Sequence, residues 1–114
     1  MMQGIKLSVY PVKDIQQATT FFSKLLGVEP YHAAPYYVGY RVGDLEIGLD
    51  PNGHQRRATG PIDYWQVNDI RTSFQSFLDA GAQTEQEVKD VGDGKLIASV
   101  KDADGNIIGL IQLP

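Results

Sequence analysis

Cysteine is absent from this chain of 114 residues, and histidine occurs only twice. Without cysteine the protein has no disulfide, no thiol nucleophile and no thiolate metal site. Long apolar runs are missing too, since no stretch approaches the ~20 residues that span a bilayer. The start Met1-Met2-Gln3-Gly4 is not a charged and then apolar export segment. We therefore expect a cytoplasmic protein that does not enter a membrane.

Positive charge is scarce and scattered. Ten lysines and arginines stand against fourteen acidic residues, the net charge is −4, and only Arg56 and Arg57 are adjacent. Because a nucleic-acid surface needs a basic patch, nucleic acid is not an expected partner. With 42% hydrophobic and 21% charged residues, the composition is that of a globular protein of one domain.

The pattern of the sequence predicts the same order of strands and helix twice. Each half begins with a strand, continues with a helix that an aspartate caps and a glycine ends, and finishes with three strands. The first strands are residues 5–12 and 62–67, the helix caps are Asp14 and Asp69, and the helix-ending glycines are Gly27 and Gly81. We predict one domain, 1–114, of two βαβββ modules (4–51 and 61–114) joined by a polar linker, 52–60. The second half is about six residues longer, and we place the extra residues at 88–94.

A β-hairpin is predicted at residues 36–50, with Gly43-Asp44 as its two-residue turn. Counting from that turn places Arg41 opposite Glu46 and Gly39 opposite Gly48. Alternation predicts that one face packs beneath the helix. Its residues are Tyr36, Val38, Tyr40, Val42, Leu45, Ile47 and Leu49.

In their order, these pieces resemble the vicinal oxygen chelate superfamily of glyoxalase I, bleomycin-resistance proteins and extradiol dioxygenases. The segments that carry the resemblance are Val12-Lys13-Asp14, Leu25-Leu26-Gly27, Val67-Asn68-Asp69-Ile70, Ala80-Gly81-Ala82 and Lys101-Asp102-Ala103-Asp104-Gly105-Asn106. The resemblance implies an α+β fold: two tandem modules form a curled mixed sheet with a concave cup, and the helices lie on its outer face. It also implies a homodimer.

The resemblance further implies where the family's divalent metal would bind, through one position on the first and one on the fourth strand of each half. These four positions are Leu7, Gly48, Ile62 and Gly109. None of the four side chains has a lone pair for a cation. A shift of one residue on the first strands presents Lys6 and Asp63, and a single carboxylate is not a site. We therefore expect neither a metal nor another cofactor.

Alternation directs a set of aromatic and polar side chains toward the predicted cup. These candidate ligand-binding residues are Tyr37, Arg41, Glu46, Asp50, Tyr64 and Gln66, whereas Trp65 would face the helix. Aromatic walls with a few polar groups suit planar or apolar ligands, although they equally suit a ligand-free sheet or a dimer contact. Arg41 is either an ordinary ion-pair partner of Glu46 or a clamp for an anionic ligand. The facing Gly39 and Gly48 leave room for a ligand or help the sheet to curl.

Two functions remain in competition, with a purely structural interaction module as a third. The favoured hypothesis is a metal-free protein that binds a drug or an aromatic metabolite in the cup. The alternative is a metal-dependent lyase, isomerase or dioxygenase of glyoxalase type. Its displaced metal site would use Glu46, Asp50, Asp63 or a histidine. The two histidines, His32 and His54, lie in segments predicted to be polar loops, where exposed histidines are usual.

Overall fold

A computed structural model describes residues 2–53 and 60–114 of the chain. Within them it forms the strands β1 (Met2–Pro11), β2 (His32–Ala34), β3 (Tyr37–Val42), β4 (Leu45–Asp50), β5 (Ile62–Val67), β6 (Gln83–Asp90), β7 (Leu96–Lys101) and β8 (Ile107–Gln112), and the helices α1 (Ile15–Leu26) and α2 (Ile70–Asp79). Neither helix has the length and apolar character needed to cross a bilayer. The chain divides into two compact units, Leu7–Ile62 and Asp63–Pro114, and the start of β1 belongs to the second.

The N-terminal unit is a four-stranded sheet with α1 on one side. Its strands lie in the order β2-β3-β4-β1, with β3 and β4 as an antiparallel hairpin and β1 parallel to β4. The core between sheet and helix is apolar. Its buried residues are Val38, Tyr40, Ile47 and Leu49.

Both ends of α1 follow the local signals in the sequence. Asp14 accepts a hydrogen bond from the backbone nitrogen of Gln17 at 3.0 Å, which satisfies one of the free amides of the first turn. At the other end Gly27 takes the left-handed conformation, with φ of 72°, and its N–H donates to the carbonyl of Ser23. The predicted start and end of this helix are confirmed.

The C-terminal unit repeats this arrangement. Its strands lie in the order β5-β8-β7-β6, with β5 parallel to β8 and β7 antiparallel to β6 and β8. Asp69 caps α2, and the side-chain oxygen of Gln112 on β8 accepts a 2.8 Å hydrogen bond from the first helical amide, that of Ile70. The buried core residues are Val67, Ile70, Phe74, Ala98, Val100 and Leu110.

Two details of the N-terminal unit differ from the prediction. Tyr36 does not pack beneath α1: Pro35 and Tyr36 form the turn between β2 and β3, which leaves the Tyr36 side chain 65% exposed. Val42 is also exposed, because it is the last residue of β3 before the hairpin turn.

The extra length of the C-terminal unit lies mostly in a strand and not in a loop. β6 has eight residues where β2 has three, and its pairing with β7 shifts register between Thr84 and Gln86 and again between Gln86 and Lys89. The turn that follows is short and closed by a hydrogen bond from Lys95 to the carbonyl of Gly92. The prediction that residues 88–94 hold the insertion is therefore only partly correct.

Candidate functional site

Each unit has a face of its sheet that no helix of that unit covers, which we call the helix-free face. In the N-terminal unit this face carries Tyr37, Gly39 and Arg41 on β3 and the alternate residues of β4. The predicted hairpin register is confirmed, since Gly39 pairs with Gly48 and Arg41 with Glu46. The candidate residues of this half are therefore brought together.

Two tyrosine rings lie on the glycines of this face. A Cβ atom at Gly48 would lie 2.0 Å from the hydroxyl of Tyr37, and one at Gly39 would lie 3.0 Å from Cζ of Tyr31. The chain's own aromatic rings thus fill the space that the glycines leave. The expectation that this space is open for a ligand is wrong.

Tyr31, which is not among the predicted ligand-binding residues, joins the two charged residues of this face. Its hydroxyl donates a 2.8 Å hydrogen bond to Oε1 of Glu46. The guanidinium of Arg41 lies over its ring, 4.1 Å from the ring centroid. Glu46 is only 8% exposed, whereas Tyr31 is 42% exposed and Arg41 lies at the surface. The carboxylate therefore lies inside the cluster, and the cation lies outside it.

The environment of Tyr31 raises its pKa to about 12. Burial is the largest cause, followed by the hydrogen bond to Glu46 and the negative charge of that residue, while the charge of Arg41 acts in the opposite direction. The phenol consequently remains a hydrogen-bond donor at every physiological pH.

This raised pKa predicts an alkaline loss of stability. In the unfolded chain Tyr31 ionises near its ordinary pKa of 10, whereas the folded protein holds the proton up to a pH of about 12. The contribution of protonated Tyr31 to the free energy of unfolding is therefore complete below pH 10 and is lost as the pH rises toward 12. Urea unfolding across this range should show a shallower decline for Tyr31→Phe than for the unchanged protein. Equal slopes for the two proteins would contradict the assignment.

Asp50, another predicted ligand-binding residue, has a local structural role. Its Oδ1 accepts a 2.8 Å hydrogen bond from the backbone nitrogen of Asn52, and its carbonyl accepts one from Val12. The side chain is half-buried at the end of β4. It thus stabilises the turn that leaves the strand.

The helix-free face of the C-terminal unit also has a tyrosine over a glycine. A Cβ atom at Gly109 would lie 2.5 Å from Cδ2 of Tyr64, and Tyr64 is 3% exposed. Ser99, which pairs with Gly109 across the strands, is buried and donates a hydrogen bond to Glu85 of β6. Sequence reasoning missed this pair.

The neighbours of Tyr64 on β5 alternate as predicted. Trp65 packs against the core beneath α2, on the side opposite to Tyr64. Gln66, the remaining predicted ligand-binding residue, is half-buried. Tyr64 and Gln66 therefore share the helix-free face of this unit.

The residues present do not fit the metal of the family that the sequence resembles. Leu7 and Ile62 are buried apolar side chains, and tyrosine rings cover Gly48 and Gly109. Among residues 2–53 and 60–114, no three histidine or acidic side chains are grouped so that they could hold a metal ion.

His32, the histidine within the described part of the chain, belongs to no group of side chains that could hold a metal ion. His32 is exposed at the start of β2, not in a loop as predicted, and its ring lies 6.3 Å from the rings of Tyr36 and Tyr37. His54, like Arg56 and Arg57, lies outside the described residues.

Two βαβββ units, each with an aspartate-capped helix and a helix-free face, define a protein of the glyoxalase type. The family model described as Glyoxalase/Bleomycin resistance protein/Dioxygenase superfamily matches residues 4–110. The chain therefore belongs to this superfamily, and the resemblance found in the sequence is confirmed.

Comparison with solved structures confirms the predicted α+β fold. A glyoxalase/bleomycin resistance protein/dioxygenase superfamily member from Vibrio splendidus 12B01 is similar with a TM-score of 0.73 and 19% identity, over 99% of this chain and 100% of that one. Methylmalonyl-CoA epimerase from Mycobacterium tuberculosis is similar with a TM-score of 0.74 and 15% identity, over 99% of this chain and 89% of that one. A hypothetical protein from Bacillus halodurans C-125 has a TM-score of 0.76 and 15% identity, over 96% and 94% of the two chains. A search of curated proteins found no match.

Proposed function

We propose that this protein binds a small, planar organic molecule on the helix-free face of its N-terminal unit, without a metal ion. The observation that carries the proposal is that tyrosine rings lie over two glycines where the family's metal ligands would stand. Tyr37 and Tyr64 lie over Gly48 and Gly109, the two fourth-strand positions at which the family's metal ligands would stand. Aromatic rings with a few polar neighbours favour flat ligands, through stacking and apolar contact.

The tyrosines on the helix-free face of the N-terminal unit are accessible. Tyr31 is substantially exposed and Tyr37 is half-buried, so a ligand can reach both rings. Tyr64 is almost completely buried, and its ring supports the sheet from within its own unit. We therefore place the first contacts of the ligand on Tyr31 and Tyr37. The protein binds the ligand and does not change it chemically.

A metal-dependent lyase, isomerase or dioxygenase is the competing function. It would need a displaced site, yet the carboxylate of Glu46 is engaged by Tyr31 and that of Asp50 by the backbone of Asn52. The likeness to methylmalonyl-CoA epimerase is one of fold, at 15% identity. The homodimer expected from the resemblance is the assembly we propose for the binding protein, and light scattering tests it directly.

Paired tyrosine variants test the proposal. After removal of metals, the protein is screened by thermal shift against aromatic drugs and metabolites, and each hit is measured by calorimetry. We expect Tyr37→Ala to weaken binding by about three- to tenfold, the size of an aromatic stacking contribution. Tyr36→Ala, at the neighbouring exposed residue, is the matched control and should leave the affinity unchanged.

Titration with nickel, zinc, manganese and iron(II) distinguishes the metal-free binding protein from the metal-dependent enzyme. Stoichiometric binding of one of these ions, abolished by Glu46→Ala, would overturn the metal-free proposal and favour the enzyme. If neither metals nor aromatic compounds bind, the proposal also fails, and an interaction module becomes the better explanation.

A further inference from the structure

We infer that Arg41 forms an anion-binding subsite and that the ligand is an aromatic carboxylate. This inference rests on the proposed function and adds the chemical class of the ligand. Three features of the N-terminal unit carry it: the bare backbone at Gly39, the bond between Tyr31 and Glu46, and the position of the guanidinium over the Tyr31 ring.

Gly39 allows the ring of Tyr31 to lie directly on the sheet. A Cβ atom there would lie 3.0 Å from both Cζ and the hydroxyl oxygen of Tyr31, closer than ordinary van der Waals contact. The backbone nitrogen of Tyr31 also donates a 2.9 Å hydrogen bond to the carbonyl of Gly39. Backbone and ring are thus both held at this glycine.

Glu46 holds the far end of the same ring. Its carboxylate accepts the phenolic hydrogen bond at 2.8 Å, and because Glu46 is almost fully buried its own position is restricted. A ring held at both ends presents a fixed surface to the guanidinium of Arg41, 4.1 Å from its centroid. Stacking of a guanidinium on an aromatic face leaves its N–H edge in the plane, directed away from the ring.

An exposed guanidinium edge selects planar anions. Its parallel N–H groups match the two oxygens of a carboxylate, and such bidentate pairs are stronger than neutral hydrogen bonds. Glu46 is buried while Arg41 is exposed, so an anion that arrives from solvent meets the cation first. The aromatic part of the ligand then lies against Tyr37, the edge of the Tyr31 ring and the outer face of the guanidinium, which also stacks on rings.

Benzoate and benzamide are the probes, since they share a planar ring and differ in charge. Calorimetry at constant ionic strength should show that the unchanged protein binds benzoate about tenfold more tightly than benzamide, as expected for charge-assisted hydrogen bonds. Arg41→Gln should abolish this preference, and Arg41→Lys should retain only part of it, because an ammonium keeps the charge without the planar fork. Arg41 is exposed, so thermal unfolding should confirm that both variants fold.

Tyr31→Phe separates positioning from charge. It keeps the ring beneath Arg41 and removes only the bond to Glu46, so benzoate affinity should fall several-fold while benzamide affinity stays constant.

Equal affinities of the unchanged protein for the two probes, both reduced by Tyr37→Ala, would overturn the anion subsite and leave the proposed function standing. Binding of neither probe at millimolar concentration would also overturn it. If the wider aromatic screen is empty as well, the proposed function fails with it.

Discussion

Replacing Gly109 with alanine should lower the free energy of unfolding by about 1–3 kcal/mol, the usual cost of overpacking a filled core. The added Cβ would lie 2.5 Å from Cδ2 and 2.8 Å from Cγ of Tyr64. Rotation about the Cβ–Cγ bond does not move Cγ, and rotation about Cα–Cβ would displace the whole ring. Tyr64 is only 3% exposed, so such a displacement would disturb its buried surroundings. The strand or its neighbour must shift instead.

Two other glycines serve as controls for this change. At Gly48 the atom in conflict is the hydroxyl oxygen of Tyr37, the far end of a half-buried side chain that can rotate outward, so Gly48→Ala should cost less. At Gly60 an added Cβ would meet no heavy atom of the described residues within 4 Å apart from its chain neighbours, and Gly60→Ala should be nearly neutral. Urea unfolding of the three variants gives the comparison.

A second substitution tests whether Tyr64 is the cause. In a Tyr64→Ala background the ring is gone, and Gly109→Ala should then cost close to nothing. If the cost is the same in both backgrounds, the contact between ring and glycine is not what limits residue 109.

The sequence placed Gly48 and Gly109 on the fourth strands and predicted the sheet face of Tyr37 and Tyr64. It did not predict that each tyrosine ring lies on one of these glycines. Strand alternation determines the face on which Tyr37 and Tyr64 lie. It does not determine the rotamers that fold each ring back over a glycine of the neighbouring strand. For this reason one of the two interpretations of Gly39 and Gly48, that they leave room for a ligand, is wrong.

Local signals were sufficient for the helices and the hairpin. Asp14, Gly27 and the Gly43-Asp44 turn act within a few residues of themselves, and each prediction based on them is confirmed. Tyr36 was placed wrongly because alternation was extended one residue beyond β3 into the turn that begins at Pro35.

The residues missed in the site depend on pairing between distant segments. Tyr31 reaches Glu46 only because β2 pairs with β3, and β2 is too short for its register to be counted from the sequence. Glu85 reaches Ser99 across a strand whose register shifts twice, so simple counting fails there as well. The helix-free face of the N-terminal unit thus depends on a very short strand, and that of the C-terminal unit on an irregular one.

Tyr40 joins α1 to its sheet both by packing and by hydrogen bonds, and its loss should be severe. No side chain of α1 is fully buried, whereas Tyr40 on β3 is 0% exposed. Its hydroxyl donates to the carbonyl of Thr19 at 3.0 Å and accepts from the hydroxyl of Ser23 at 2.9 Å. We expect Tyr40→Ala to lower the free energy of unfolding by about 3–5 kcal/mol, as for other large aromatic residues removed from a core.

Tyr40→Phe separates the ring from its hydrogen bonds. It should cost only about 0.5–1.5 kcal/mol, the net value of a typical hydrogen bond, because the ring still fills the core. Hydrogen exchange should nevertheless show faster exchange of the α1 amides in Tyr40→Phe, while the α2 amides, in the other unit, remain protected. Equal acceleration in both helices would show that Tyr40 acts on the stability of the whole chain and not on the attachment of α1.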